Sequence, residues 1–349
     1  MPVQTKPMKF GLIGCGFWAQ TQLHAWQMIG DAELVAVCDI DPAKAEEVAR
    51  QFDAPRFYTD AEAMLSKESL DFVDIVTTPP SHRPLVELAA NHKLNVICQK
   101  PIAWRMEDAR AMVAACDKAG VVFMVHENWR WQAPIREVKR LLDDGVVGDP
   151  FFGRVSFRSD FDPFTGQAWL RETPRFVIIE AGIHQLDTAR FLFGDFEALF
   201  CQTTRINPII KGEDVATIML TTDQLTCVVD LSFSTPTEHQ TFPQTFITIE
   251  GPEGIINLGP DYRLSITHSG SMEIRTLPEP EHPWTDRPWH VMQDSAFRVQ
   301  QHWVECLRTN QLPETSGTDN LCSLELVLGS YESAENNTAY HPRQWQKEI

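Results

Sequence analysis

Positive charge is scarce in this 349-residue chain. Thirty Lys and Arg face 48 Asp and Glu, a formal net charge of −18. Nucleic acid and anionic membrane surfaces are held by basic patches, so neither is expected as a partner. Long apolar runs are also missing. No segment reaches the ~20 apolar residues of a membrane-spanning helix. The opening MPVQTKPMKF has no apolar signal core, so the chain is read as cytoplasmic. The eight cysteines (15, 38, 98, 116, 201, 227, 306 and 322) form no C-x-x-C pair, and several sit in apolar runs. Buried reduced thiols are expected, with neither disulfides nor a metal site. His282, His290 and His302 are too loosely spaced to suggest zinc. There is no internal repeat and no low-complexity tail.

What the chain does have is KFGLIGCGFW at Lys9–Trp18. Phe10, Leu12 and Ile13 read as the end of a buried strand. Gly14-Cys15-Gly16-Phe17-Trp18-Ala19 then fits G-x-G-x-x-A. The first glycine permits a tight turn, the second lets a pyrophosphate near the backbone, and the alanine lets the next helix pack close. That helix, about Trp18 to Met28, would aim its free N–H groups at the pyrophosphate. The run ELVAVCD at 33–39 reads as a second strand ending in an acid. There a dinucleotide site needs a carboxylate for the ribose hydroxyls. Asp39 would repel a 2′-phosphate, and no arginine follows in Ile40-Asp41-Pro42. NAD is therefore expected over NADP.

Strand and helix keep alternating. Asp41-Pro42 and Thr59-Asp60 read as helix starts. Phe72–Thr77 is a strand ending in Thr77-Thr78-Pro79-Pro80-Ser81-His82, where two prolines suggest an extended turn and Ser81 a cap for a helix from His82 to Asn91. Asn95–Cys98 is a strand ending at Gln99-Lys100-Pro101, and Val121–Val125 one ending at His126-Glu127-Asn128. Repeated β-α units predict a doubly wound parallel sheet, whose ligands sit at the carboxyl ends of its strands. Gly14, Asp39, Thr77 to His82 and Gln99 to Pro101 should converge there, joined by Asn128.

The domains are taken as residues 1–128 and 129–349, with Gly148-Asp149-Pro150 preceding the first strand of the second, FFGRVSFRSDF. Residues 162–175, with two prolines and Trp169, read as a loop over a cleft. A helix runs from Glu180 to Phe193, stopped by Gly194. Strand after strand follows from Phe196 to Ile274 with short spacings, which favours antiparallel pairing. Residues 291–307 and 320–333 read as closing helices.

GLIGCGFWA, TTPPSHRPLVELAANHKLNVICQKP, ENWRWQAPIREVKRLLDDGVVGDPF and EAGIHQLDTARFLFG, in this order over about the first 195 residues, resemble the Gfo/Idh/MocA oxidoreductases. The resemblance implies an N-terminal Rossmann domain and a C-terminal α+β domain on a large, open, mostly antiparallel sheet. That sheet would mediate a homodimer or homotetramer. It implies an NAD(P) cofactor and a sugar or polyol substrate. The family's catalytic lysine falls on Lys100 and its histidine on His184. The acid four residues earlier is Glu180, where the family commonly has Asp, and Gln99 stands for the usual Glu before the lysine.

On a helix, Glu180 and His184 share a face, and Gly182 would let the nicotinamide approach. Oxidising a carbinol by hydride transfer requires the hydroxyl proton to leave. An imidazole such as His184 can accept it, and Lys100 can stabilise the developing negative charge. Either can be the acceptor. Glu180 would orient His184 or bind a hydroxyl. Asn128 and Trp169 are candidate substrate contacts. Cofactor contacts are expected from Gly14, Gly16, Phe17, Trp18, Asp39, Thr77, Pro79, His82, Gln99, Lys100 and Asn128. Arg130 is a candidate substrate contact or a structural ion pair. The resemblance, through GCGFWAQTQLHAW, QKP and ENWRWQ, further implies oxidation of an aldose such as apiose at the anomeric carbon to a lactone or acid. The alternatives are an inositol or polyol dehydrogenase and a non-catalytic NAD-binding regulator.

Overall fold

The computed structural model describes residues 6–236 and 244–343; parts of the N-terminal decapeptide and of the second expected domain lie outside them. It divides into two compact units. One comprises the chain up to Asn128 together with Gln293–Leu321. The other comprises Trp129–Met292 and the chain from Cys322 onward.

The first unit alternates strand and helix. Its elements are β1 (Met8–Ile13), α1 (Phe17–Met28), β2 (Ala32–Cys38), α2 (Pro42–Gln51), β3 (Arg56–Tyr58), α3 (Ala61–Lys67), β4 (Phe72–Ile75), α4 (Pro79–Asn91), β5 (Asn95–Gln99), α5 (Met106–Ala119) and β6 (Phe123–His126). The strands form one parallel sheet in the order β3-β2-β1-β4-β5-β6. The order reverses between β1 and β4, the place where doubly wound sheets bind ligands. Asp41 caps α2 by accepting from the Ala43 N–H at 3.0 Å, and Asp60 caps α3 by accepting from Ala63 at 2.7 Å. Each such cap contributes about 1 kcal/mol.

Helix α4 departs from expectation. It begins at Pro79, not His82, with Thr78 in the cap position. The two prolines occupy the first helical turn, where the missing N–H costs nothing and the fixed φ suits the helix. Ser81 lies inside that turn and donates to Thr77 Oγ1 and the Thr78 carbonyl, both at 2.8 Å.

The second unit holds α6 (Ala133–Asp143), β7 (Phe152–Arg158), α7 (Ile183–Phe193) and then β8 (Ala198–Thr204), β9 (Val215–Thr221), β10 (Thr226–Ser232), β11 (Thr245–Gly251), β12 (Gly254–Leu258), β13 (Arg263–His268) and β14 (Ser271–Thr276). Its eight-stranded sheet has the order β14-β13-β12-β11-β7-β10-β9-β8. Only the β7/β10 pair is parallel. Helix α7 packs on one face, over Val155, Phe157, Val229 and Leu231, all buried. On the other face, register aligns Phe200, Met219, Val228, Arg154, Thr248, Asn257, Ser265 and Ile274 in one row. Met219 and Ile274 there are 44% and 48% exposed.

The sequence pattern assigns helices α8 (His290–Thr309) and α9 (Gly317–Asn336) to the second domain. Residues 293–321, however, pack in the first unit. Trp303 is wholly buried and meets Phe72 edge-on, with ring centroids 5.8 Å apart. Gln300 donates to the Gln22 carbonyl at 3.3 Å. These apolar and polar partners lie far away in sequence, so no local pattern signals them.

Candidate active site

The first unit gathers its expected residues at one sheet edge. Gly14 follows β1 with φ +102°, and a Cβ there would lie 2.4 Å from the Val76 carbonyl oxygen. Only glycine fits this turn. Gly16, the cap of α1, has nothing within 4 Å of a built Cβ, so its backbone faces open space. Ala19 is fully buried, which allows the close helix packing. Asp39, at the end of β2, accepts from the Cys15 N–H at 2.7 Å and from the Asp41 N–H at 2.9 Å. Its carboxylate is thereby tied to the glycine turn. Burial pushes the Cys15 thiol up to about 12, so it stays protonated. Phe17 is 61% exposed beside Gly16, and Trp18 is half-buried. Thr77 and Pro79 are half-buried past the end of β4.

His82 has a different role from the expected diphosphate neighbour. It is fully buried, with Nδ1 3.1 Å from the Ile102 carbonyl and Nε2 3.1 Å from the Thr77 carbonyl. Burial lowers its pKa, and the ring bridges the loops that follow β4 and β5. Gln99 is likewise buried, its Oε1 accepting the Lys100 N–H at 2.7 Å. Lys100 is half-buried beyond β5. Asn128 donates from Nδ2 to Ser295 Oγ at 2.6 Å.

In the second unit, α7 carries the histidine. The expected α-helix from Glu180 starts instead with a π-helical turn, Ile178–Gly182, and becomes α-helical at Ile183. The wider turn changes the simple four-residue face shared by Glu180 and His184. Glu180 is half-buried amid buried neighbours, and His184 is only 6% exposed, which excludes a surface Glu–His pair. At Gly182 a Cβ would lie 2.7 Å from Leu231 Cδ1, so the leucine side chain would have to shift to admit one. Helix packing on β10 fills that space.

Trp129 stacks on His184, with centroids 4.4 Å apart and planes at 23°. Its Nε1 donates to Thr245 Oγ1 at 2.8 Å, and that hydroxyl donates to Gln185 at 2.9 Å. Glu213 accepts from the Phe176 and Ile178 N–H groups and from the Tyr331 hydroxyl. It thus holds the start of the π turn. Arg130 pairs with Asp187 through two bonds of 2.8 and 2.6 Å, both side chains buried, so it is a structural ion pair. Trp169 lies on a short 3-10 turn, Ala168–Glu172, 40% exposed.

Residues 8–127 match the model of the oxidoreductase family with an NAD-binding Rossmann fold, and residues 135–257 match the GFO/IDH/MocA C-terminal domain. The chain belongs to the Gfo/Idh/MocA family of oxidoreductases. It is 51% identical over 330 residues to a D-apiose dehydrogenase of Paraburkholderia graminis, covering 94% of this chain and 88% of that protein. A D-apiose dehydrogenase of Rhizobium rhizogenes is 48% identical, covering 94% and 96%. A solved oxidoreductase from Agrobacterium radiobacter, in complex with NAD+, L-tartaric acid and magnesium, superposes with a TM-score of 0.95 at 46% identity, covering 99% of this chain and all of that one.

As a member of this family the chain is an NAD-dependent oxidoreductase. Its residues fit that cofactor: an open glycine backbone at Gly16 for the diphosphate, and a carboxylate at Asp39 for the ribose. Among the described residues, no three His, Cys, Asp or Glu side chains are grouped to hold a metal. None of the described helices is long and apolar enough to cross a membrane. All eight cysteines are free and buried. Two residues of the site escape sequence reasoning: Trp129 as the partner of His184, and Glu213. The tryptophan after Asn128 is visible in the sequence, but nothing local links it to a residue 55 positions on.

Proposed function

We propose that this protein oxidises an aldose of the apiose type at its anomeric carbon, passing the hydride to NAD and releasing a lactone or aldonic acid. The observation that carries the substrate is the 51% identity, over 94% of the chain, to a D-apiose dehydrogenase. Bound NAD supplies the hydride-accepting ring. The chain supplies position, charge and a home for the proton. Lys100, on the short loop after β5, donates to the substrate oxygen and stabilises the charge that grows as its proton leaves. His184 accepts or relays that proton. Trp129 stacking limits the ring's rotation, so its nitrogens keep fixed directions. Glu180, the one half-exposed side chain of the π turn, binds a sugar hydroxyl or orients His184. Gly14, Gly16, Asp39, Phe17, Trp18, Thr77 and Pro79 hold the cofactor. Gln99 acts through the Lys100 backbone. Asn128 and Trp169 are assigned to substrate.

We also propose that the bare face of the eight-stranded sheet pairs with a second copy. Its row carries Phe200, Met219 and Val228 side by side at one end and Ile274 at the other, with polar residues between, and the apolar members would otherwise meet water. Light scattering should give a dimer or tetramer, and Met219→Glu should lower the mass; a monomeric wild-type protein would end this idea. For the reaction, NADH formation is followed with D-apiose, a panel of other aldoses, and inositols. The highest kcat/KM is expected with D-apiose. Turnover of inositols alone would replace this assignment with a polyol dehydrogenase.

A further inference from the structure

Asp74 is an acid in the middle of β4 that none of the roles above uses. Its side chain is fully buried. Trp26 Nε1 donates to Oδ2 at 2.7 Å, and Gln22 Nε2 lies 3.1 and 3.0 Å from the two oxygens. Gln22 Oε1 in turn accepts from Gln99 Nε2 at 3.0 Å, and Gln99 Oε1 accepts from the Lys100 N–H at 2.7 Å. Gln22 is 0% and Gln99 8% exposed.

The direction of this chain follows from its ends. A backbone N–H and an indole N–H can only donate. The Lys100 N–H therefore requires the Gln99 oxygen, which turns the Gln99 amino group toward Gln22. That requires the Gln22 oxygen, which turns the Gln22 amino group toward Asp74. Every donor points one way, and Asp74 receives both the Gln22 and Trp26 donors. A buried network of this kind is stabilising only when each member is satisfied.

We propose that Asp74 is a positioning residue for Lys100, its carboxylate setting the orientation of Gln22 and Gln99 and so fixing the peptide that carries the lysine. This rests on the assignment of Lys100 to the reacting end. The same logic specifies how to reverse the chain. In Asp74→Asn, the amide offers one oxygen and one donor to groups that all donate. The Gln22 and Gln99 amides must turn, and Gln99 then meets the Lys100 N–H donor to donor. In Gln99→Glu, the carboxylate still accepts from Lys100 but cannot donate to Gln22; Gln22 turns and sets its oxygen against Asp74. The double variant restores every partner. The new amide nitrogen at position 74 donates to Gln22, and Gln22 donates to the new carboxylate at position 99. The Lys100 N–H donates to that same carboxylate, and Trp26 donates to the amide oxygen at position 74.

The experiment, run at pH 8 where Asp74 is an acceptor-only carboxylate, measures kcat and KM with the sugar substrate, the NAD dissociation constant, and hydrogen exchange at the Lys100 amide. Each single variant should lower kcat about tenfold and speed the Lys100 amide exchange, with NAD affinity unchanged. The double variant should return kcat to within about threefold of wild type, a coupling larger than independent sites show. Effects that multiply in the double variant would overturn the proposal. So would singles with unaltered kcat and exchange. If Asp74→Asn does not fold, Gln99→Glu is compared with the double variant. A more active double supports the relay, and an equally impaired one refutes it. Lys100→Ala separates the two claims. Full turnover there would remove the lysine's role, while the exchange data would still report on the relay.

Discussion

The indole of Trp129 stacks on the imidazole of His184, with ring centroids 4.4 Å apart and planes at 23°, and is itself pinned by a hydrogen bond to Thr245. The histidine is thus held by a flat wall fixed at its far edge. Trp129→Phe keeps the wall and loses the pin; Trp129→Ala loses both. Trp129→Phe should cut kcat by a few-fold and Trp129→Ala by about a hundredfold, a 1 Å misplacement being enough for that loss. Steady-state kinetics with circular dichroism controls reads the series. Equal kcat in Trp129→Ala and wild type would show that the stack does not position His184.

Arg130 and Asp187 make a second, purely structural statement about the same helix. Asp187 is fully buried, and Ser323 Oγ donates to it at 2.8 Å beside the Arg130 bonds. Removing one member of such a pair leaves an uncompensated charge indoors, which costs about 3–5 kcal/mol. Asp187→Ala should lower the unfolding free energy in urea by that amount. A change under about 1 kcal/mol would mean that water enters and solvates Arg130.

Cofactor choice can be tested at Asp39 and Ile40. Asp39 is anchored by two backbone N–H groups, and Ile40 beside it is 92% exposed. A 2′-phosphate would meet a fixed negative charge at Asp39. Wild type should therefore have the higher kcat/KM with NAD. Combining Asp39→Ala with Ile40→Arg should move the preference toward NADP by about tenfold or more, because a repulsion is removed and a guanidinium is supplied for the phosphate. Wild-type preference for NADP would contradict the assignment.

The first unit is legible in the sequence because its signals are local. The caps Asp41 and Asp60 act within a few residues of themselves, and Gly14 and Asp39 stand in a motif whose order and spacing are visible, so the order of strands and their functional ends can be read directly. The π turn before His184 is hidden, since one extra residue per turn leaves the apolar pattern of IIEAGIHQL almost unchanged. His82 looks like a cofactor neighbour from its place after β4, because its burial depends on the distant loop at Ile102. The packing of residues 293–321 in the first unit, the Trp129 stack and the Asp74 relay all join residues tens or hundreds of positions apart. The one visible hint of the relay is an acid inside the apolar run FVDIV, which is costly unless paired.

That acid makes stability depend on pH in an unusual direction. Burial pushes Asp74 from its ordinary 3.8 up to about 7, against the pull of the Trp26 and Gln22 hydrogen bonds. The thiol of Cys98 on β5 is the titratable neighbour, and its own burial keeps it protonated. Below pH 4 the carboxyl is protonated whether the chain is folded or not. Between about pH 4 and 7 the unfolded chain gives up the proton while the folded one retains it, so this group's contribution to stability falls as pH rises and levels off above 7. The full span is on the order of 4 kcal/mol, three pKa units at about 1.4 kcal/mol each. Urea unfolding of wild type and Asp74→Asn at pH 5 and pH 8 isolates it, because every other carboxylate is common to both proteins. The stability of the variant relative to wild type should improve from pH 5 to pH 8. A difference independent of pH would mean that Asp74 ionises as readily in the folded protein as in the unfolded chain.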